Sequence, residues 1–498
     1  MRDVVQSLGV SGGAIPRILK FASENCDALA VVNPAGRGDI LEYTFDSLVG
    51  RIADYGALFE LYPPGTRVAL LFQQSFEAYA AILAAFHSGI IFCPLDPRLP
   101  PERLSYCIQQ LQPAIVISGT PLNFDTPKDT VLLTPDQLSK GHSLCSGRDC
   151  ASAYIIFTSG STGLPKGIEI LSSGVEAFLK WAWSNYSIDP GQRWAQFSSL
   201  GFDLSLVDIL CCLPQGGTLV PFAADVDRAF PTRLIKQAGV NVWHSVPSVI
   251  PLLTEYGTVA ADSLADLRVA TFCGEPLYPQ QAKQLLALNP RLSVFNTYGP
   301  TEATLFCSCQ PVNEEFLSHY TGSSLPIGKP IPGWAFRFSP DANDNLEELW
   351  IVSQYVGKGY IAQTPDQERF GCLPTEGGSE RAYRTGDLFF RNSAGDVVFA
   401  RRNDRQVKVR GNRIDLSEIE YQALNFGALE AKALLSTQGL VLFVSPEEIG
   451  CERLREHLAA TLPSHAIPSL VISLSRLPRN VNAKVDTPEL LRLLQRGS

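Results

Sequence analysis

Short apolar, β-rich runs alternate with amphipathic helical stretches along the first 400 residues, and this constrains the fold more than any other feature. RVALLF (67–72) is followed by a helical stretch over Phe76–His87, then IIFCPL (90–95), Pro101–Gln110 and AIVIS (114–118). Strands separated by helix-length segments pair side by side through crossovers, so the pattern predicts layered α/β architecture with largely parallel sheets. The most apolar stretch, Ala78–Leu95, is broken by His87-Ser88-Gly89 and Pro94. It reads as a buried helix followed by a strand, not as a membrane span. Segment 119–150 is polar and loop-rich, and there is no tandem repeat.

At 498 residues the chain has the length of two to four domains and can bury a large core without staples. With 45% hydrophobic and 18% charged residues, collagen-like, coiled-coil and largely disordered readings are excluded. The balance of 41 Lys+Arg against 50 Asp+Glu leaves −9, which argues against nucleic acid as a main partner. Twelve cysteines are too sparse for a disulfide scaffold, and neither Cys211-Cys212 nor Cys307-Ser308-Cys309 has zinc spacing. Buried free thiols in a reducing cytoplasm are the expectation. The opening residues, MRDVVQSLGV, show no basic region before an apolar core, so no signal peptide and no membrane partner are expected. A boundary is marked where VVFA (397–400) runs into Arg401-Arg402-Asn403-Asp404-Arg405. Beyond it come QVKVR (406–410), an acidic helix from Leu416, GLVLFV (439–444), and helices over 451–461 and 487–495. The division predicted is a large core, 1–403, and a small, mobile α+β domain, 404–498.

The strongest local signal is Tyr154-Ile-Ile-Phe-Thr158-Ser159-Gly160-Ser161-Thr162-Gly163-Leu-Pro165-Lys166-Gly167. An apolar strand enters a turn of hydroxyl and glycine residues closed by a lysine. Small residues let backbone N–H groups face an anion, hydroxyls add hydrogen bonds, and Lys166 adds a mobile positive charge. The spacing is not that of a Walker loop. The plainer alternative is a Ser/Gly surface loop that happens to contain a lysine.

This loop resembles the signature of the AMP-forming adenylate-forming enzymes: acyl-CoA synthetases, luciferases and the adenylation domains of nonribosomal peptide synthetases. Further resemblances follow in order along nearly the whole chain: Tyr43-Thr44-Phe45-Asp46-Ser47-Leu48, Gly89–Arg103, Asn296-Thr297-Tyr298-Gly299-Pro300-Thr301-Glu302, Tyr383-Arg384-Thr385-Gly386-Asp387, Arg402–Lys408 with Gly411-Asn412-Arg413-Ile414, and Leu477-Pro478 through Asp486. The resemblance implies that ATP and Mg²⁺ are used, that a carboxylate attacks the α-phosphorus of ATP, and that a thiol then takes the acyl group from the adenylate. It implies that Thr158, Ser159, Gly160, Ser161, Thr162, Gly163 and Lys166 hold the β,γ-phosphates. Tyr298 would lie against the adenine, with Gly274-Glu275-Pro276 beside it and Asn296, Thr297, Gly299 and Thr301 in the same motif. Glu302 would bind Mg²⁺, a hard cation suited to carboxylate oxygens. Asp387 would hold the ribose hydroxyls, with Arg402 near the same sugar. Lys484 would be catalytic, bridging the substrate carboxylate and the α-phosphate; its surroundings, Val481-Asn482-Ala483-Lys484, have alanine where the family commonly has glycine. Asp404 would be the hinge, although a helix-capping role is the bland alternative. Glu347-Glu348-Leu349-Trp350 departs from the family's Gly-Glu-Leu, which predicts an altered loop.

Asp203, in Gly201-Phe202-Asp203-Leu204-Ser205, resembles the aspartate that pairs with the α-ammonium group in amino-acid-activating members. A plain fatty or aryl acid would leave such a carboxylate unpaired; the alternative role is a helix N-cap. The family's pocket positions carry over to Asp203, Leu204, Val207, His244, Thr271, Cys273, Thr297, Leu305 and Phe306. His244 and Phe306 are bulky, which predicts a small substrate side chain, and these positions offer no second carboxylate or lysine for a charged one. His244 either packs or meets a polar substrate group. Phe272-Cys273-Gly274-Glu275 and Phe202-Asp203-Leu204-Ser205 look most like the stand-alone D-alanine–carrier-protein ligases, a pattern from which His244 and Phe306 depart. The expected acceptor is the phosphopantetheine thiol of a carrier protein supplied in trans. An acyl- or aryl-CoA ligase using free CoA is the alternative, and a non-catalytic nucleotide-binding relative is a third reading.

Overall fold

A computed structural model describes residues 13–34, 40–141, 147–158, 164–186, 189–254, 262–341, 345–362, 364–375, 378–403, 406–436, 438–479 and 485–496. The alternation read from the sequence becomes two mixed sheets with parallel centres, one antiparallel at a single edge and the other at both. One has seven strands in the order Gly359–Tyr360, Lys166–Leu171, Ser152–Thr158, Ile91–Leu95, Arg67–Leu71, Ile115–Ser118 and Val131–Leu133. The other has nine, in the order Lys329–Pro330, Ser308–Val312, Ser293–Tyr298, Val269–Phe272, Val242–Ser245, Arg193–Gln196, Thr218–Pro221, Leu29–Pro34 and Ile40–Thr44.

Successive residues of these strands serve different cores, because side chains alternate across a sheet. Val68 and Leu70 join a core shared with the nine-stranded sheet, whereas Ala69 and Leu71 join an outer one with helix Pro101–Leu111. Helices Phe45–Phe59, Phe76–His87, Ser172–Asn185 and Leu204–Cys212 fill the shared core. Phe76–His87 starts where Ser75 accepts a capping hydrogen bond from the Ala78 N–H, and its alanines are buried between the sheets. Thus Ala78–Leu95 is the buried helix and strand expected. Helices Pro231–Ala238 and Pro279–Leu288 cover the far face of the nine-stranded sheet.

Residues 335–402 depart from the alternating pattern. They form an antiparallel sheet of Ala335–Pro340, Glu347–Val352, Gly378–Arg391, Phe370–Thr375 and Val397–Arg402. The tight turn Asn392–Gly395 leaves no room for a crossover helix. The altered loop predicted at Glu347–Trp350 is therefore corrected: these residues lie within a strand, and Glu348 pairs with Arg384 at 2.6 Å.

Beyond residue 406, the hairpin Gln406–Val409/Asn412–Asp415 precedes a three-stranded sheet, Glu430–Ser436, Gly439–Ser445 and Leu470–Ser473, packed with helices Leu416–Phe426, Cys451–Thr461 and Thr487–Arg496. Its two apolar clusters draw no residue from below Val407. Among the described residues, no helix is long and apolar enough to cross a membrane.

Candidate active site

Tyr298 ends an interior strand of the nine-stranded sheet, and its hydroxyl donates to Asp387 Oδ2 at 2.6 Å. Asp387 faces Arg402 across the antiparallel pair Gly378–Arg391/Val397–Arg402, and Arg402 Nη1 donates to Asp387 Oδ1 at 2.5 Å while Nη2 donates to the Thr385 carbonyl at 3.0 Å. Burial, with the Asp387 charge beside it, pushes the Tyr298 hydroxyl well up, so it stays a neutral donor. A small cavity of about 30 Å³ opens beside Tyr298, between Gly274-Glu275-Pro276 and Lys408. Lys408 Nζ lies 6.0 Å from the Tyr298 ring centre. Asn296 and Thr297 turn their polar groups to backbone, at Pro326 O (2.8 Å) and Phe272 O (3.0 Å), and so brace this wall.

The chain then turns sharply through Thr301–Ala303, which buries Glu302 completely. Arg413 Nη1 lies 3.1 Å from each Glu302 oxygen, and the Tyr360 hydroxyl donates to Oε1 at 2.7 Å. Burial raises the Glu302 pKa, but Arg413, Lys166 and Tyr360 outweigh it and bring the carboxyl down to about 2. Lys166 stands nearby, 4.7 Å over the Tyr360 ring, with Nζ donating to Asp366 at 2.6 Å. Lys166 opens the strand Lys166–Leu171 opposite Thr158 and pairs here with a buried carboxylate. Desolvation, with Arg413 close by, lowers its pKa.

After Glu302 the backbone adopts positive φ at Thr304 (69°) and Leu305 (61°), conformations that cost on the order of 1–3 kcal/mol each. This folds Phe306 back beneath Gly299, where a Cβ would stand 2.4 Å from Phe306 Cα. Phe306 then packs edge-on against Phe178 and Trp181. Asp203 occupies the N-cap position of helix Leu204–Cys212 but makes no capping hydrogen bond, and its buried Oδ2 has no partner among the described residues. Burial pushes its pKa up to about 7; a Thr301 hydrogen bond opposes this and the Glu302 charge adds to it. Val207, His244, Thr271, Cys273, Leu305 and Phe306 are buried in the same region.

Ser159, Gly160, Ser161, Thr162, Gly163, Asp404 and Lys484 lie outside the described residues. Four residues went unassigned by sequence reasoning. Arg413 lay within a motif that suggested no contact with Glu302. Asp366 reaches Lys166 from 200 positions away, and Tyr360 reaches Glu302 from 58, separations that leave no local signal. Asp208, one residue past Val207 and outside the carried-over pocket positions, is buried beside His244 at 2.9 Å.

Residues 19–361 match the family model for AMP-binding enzymes. The chain is 28% identical to a D-alanine--D-alanyl carrier protein ligase of Bacillus licheniformis, over 96% of this chain and 98% of that one. It is 30% identical to an L-proline--[L-prolyl-carrier protein] ligase of Pseudomonas fluorescens, over 86% and 90%. In structure it resembles the Vibrio cholerae adenylation domain AlmE, crystallised with glycyl-adenosine-5'-phosphate, with a TM-score of 0.80, 24% identity and coverage of 97% and 98%.

Proposed function

Because the chain belongs to the AMP-binding enzyme family, we propose that it joins a small amino acid to AMP with release of pyrophosphate. It then passes the aminoacyl group to the phosphopantetheine thiol of a separate carrier protein. The observation that carries the amino-acid reading is Asp203: its Oδ2 is buried, it does not cap its helix, and among the described residues it pairs with no cation, so an α-ammonium group would restore its ionised form. A CoA ligase of fatty or aryl acids would have no use for it. The carrier-protein ligases at 28% and 30% identity support the same acceptor.

In the first half-reaction a substrate carboxylate oxygen bonds to the α-phosphorus as the bond from that phosphorus to the bridging oxygen of pyrophosphate breaks. Such chemistry depends on positioning and charge neutralisation. Tyr298 and Gly274-Glu275-Pro276 hold the base, and Asp387, steadied by Arg402 and Tyr298, retains lone pairs for the ribose hydroxyls. Thr158, the loop 159–163 and Lys166 receive the β,γ-phosphates, with Lys166 exchanging Asp366 for phosphate oxygen. Glu302 suits Mg²⁺ because it is an ionised oxygen ligand. Bound there, Mg²⁺ would supply neutralisation of phosphate charge. Lys484 bridges the reacting carboxylate and α-phosphate.

Residues 1–403 form the adenylating core and 404–498 the small domain, which turns about Asp404 between the two half-reactions. Supporting this, Arg479 and Val485, which flank Lys484, contact their own domain, while the hairpin 406–415 reaches Glu302 and Glu275 instead. The test is amino-acid-dependent ATP–pyrophosphate exchange over the twenty amino acids, D-alanine, β-alanine and several aryl and fatty acids. Exchange with a small amino acid is expected; exchange only with acids lacking an amine would overturn the reading.

A further inference from the structure

A group of polar atoms is buried where the proposed side-chain pocket meets the core. His244 alternates with Trp243 along Val242–Ser245: Trp243 serves the outer core, whereas His244 faces Tyr186 and Trp194, 5.5 and 5.2 Å away ring to ring. Asp208 approaches His244 Nδ1 to 2.9 Å from helix Leu204–Cys212, the helix that begins at Asp203. Asp208 Oδ1 and His244 Nδ1 thus face each other, whereas among the described residues Asp208 Oδ2, His244 Nε2 and Trp194 Nε1 have no hydrogen-bond partner, although all three residues are 0% exposed. Thr271, directly across the sheet from His244, donates weakly to the Tyr186 hydroxyl at 3.5 Å. Proteins seldom leave so many polar atoms unsatisfied together, and each is costly in an apolar wall.

We propose that Asp208 positions His244 to receive a hydroxyl group on the substrate's side chain, so that the enzyme prefers a small hydroxylated amino acid to its deoxy counterpart. The inference rests on the amino-acid-activating reading and deepens it. With Asp208 beside Nδ1, the Nδ1 proton is retained and Nε2 of the neutral ring is left as an acceptor. A hydroxyl both donates to that nitrogen and accepts from a neighbour such as Trp194 Nε1; a methyl group does neither. Sites built to bond a substrate hydroxyl reject the analogue lacking it, because their own groups are then stranded. The aromatic series Phe306, Trp181, Tyr186 and His244 limits the side chain's reach. Asp208 acts through His244 and is a positioning residue.

The experiment compares kcat/KM in ATP–pyrophosphate exchange for serine against alanine and threonine against 2-aminobutyrate, in both enantiomers, for the full-length enzyme and for Asp208→Asn. The native enzyme is expected to favour the hydroxylated member by at least about tenfold, the factor of roughly one hydrogen bond. In Asp208→Asn the ratio is expected to fall about tenfold, through KM for the hydroxylated substrate rather than kcat. AMP binding by calorimetry verifies that the variant is folded; should it not be, His244→Gln replaces it, and the native ratios stand as a test alone. A native preference for alanine or 2-aminobutyrate, or a ratio unmoved by the substitution, overturns the inference and leaves amino-acid activation standing. Exchange confined to acids without an amine overturns both.

Discussion

At the scale of single residues, the site separates two acidic groups by environment. Glu302 is kept ionised by the cations around it, whereas Asp203 is lifted from 3.8 to about 7, chiefly by burial. The folded protein therefore holds the Asp203 proton between about pH 4 and pH 7, where the unfolded chain has lost it. Ionised Asp203 costs stability above about pH 7, and the cost fades as pH falls through that window. Two outcomes are expected. The kcat/KM for the amino acid, measured by pyrophosphate exchange, should decline as pH falls below about 7, because protonated Asp203 no longer attracts an ammonium group. Asp203→Asn should lose at least about a hundredfold in exchange, as expected when a buried charge is left without its partner, yet raise Tm at pH 8 by a few degrees, with the gain shrinking at pH 5. A flat pH profile, or a Tm gain equal at both pH values, would show that Asp203 is not the titrating group.

At the scale of elements, the hairpin Gln406–Val409/Asn412–Asp415 is the part that completes the site. Its turn, Arg410-Gly411, has positive φ at both residues (50° and 76°), the geometry that closes a two-residue hairpin. Gly411 donates its N–H to Glu275, and a Cβ there would stand 2.1 Å from Val246 Cγ1. The same hairpin brings Arg413 to Glu302 and Lys408 to the face of Tyr298. In this arrangement the Arg413 guanidinium occupies the carboxylate proposed to hold Mg²⁺. Gly411→Ala should unseat the hairpin. Rapid-quench loading of the carrier thiol from preformed adenylate is expected to slow at least about tenfold, while pyrophosphate exchange changes less than about threefold. Equal losses in both assays would assign the hairpin to adenylation instead.

At the scale of the whole molecule, two bodies share one active site. The small domain rests on the core through Arg103–Glu418, between helices Pro101–Leu111 and Leu416–Phe426, and through His465 beside the Phe202 ring. Burial at this junction pushes His465 down to about 4, so it stays neutral at physiological pH. Arg479, just before the lysine motif in sequence, pairs with Glu430 of the same domain. Lys484→Ala should cut pyrophosphate exchange by roughly 10²–10³ while leaving transfer from a supplied adenylate largely intact. Equal loss in both halves would remove Lys484 from the first. Chelation with EDTA should stop exchange, and added Mg²⁺ should restore it.

Much of this was legible in the chain itself. Period and length alone predicted Phe76–His87, the strands at 67–72 and 90–95, and the terminal helices, because a segment buried on known faces must repeat its apolar residues at the spacing of its own backbone. That Tyr298, Asp387 and Arg402 belong to one site was legible too, since they lie in short contiguous motifs, and the structure joins all three by hydrogen bonds. The antiparallel sheet of 335–402 was not read, since its alternation is short and its turns resemble any polar loop. Nor were the pairings Lys166–Asp366, Glu302–Arg413 and Asp208–His244. Local propensity and motif spacing depend on neighbours in sequence, and these the sequence determined. Whether a charge is paired, anchored or stranded depends on what the fold brings to it across tens or hundreds of residues, and that only the tertiary structure decided.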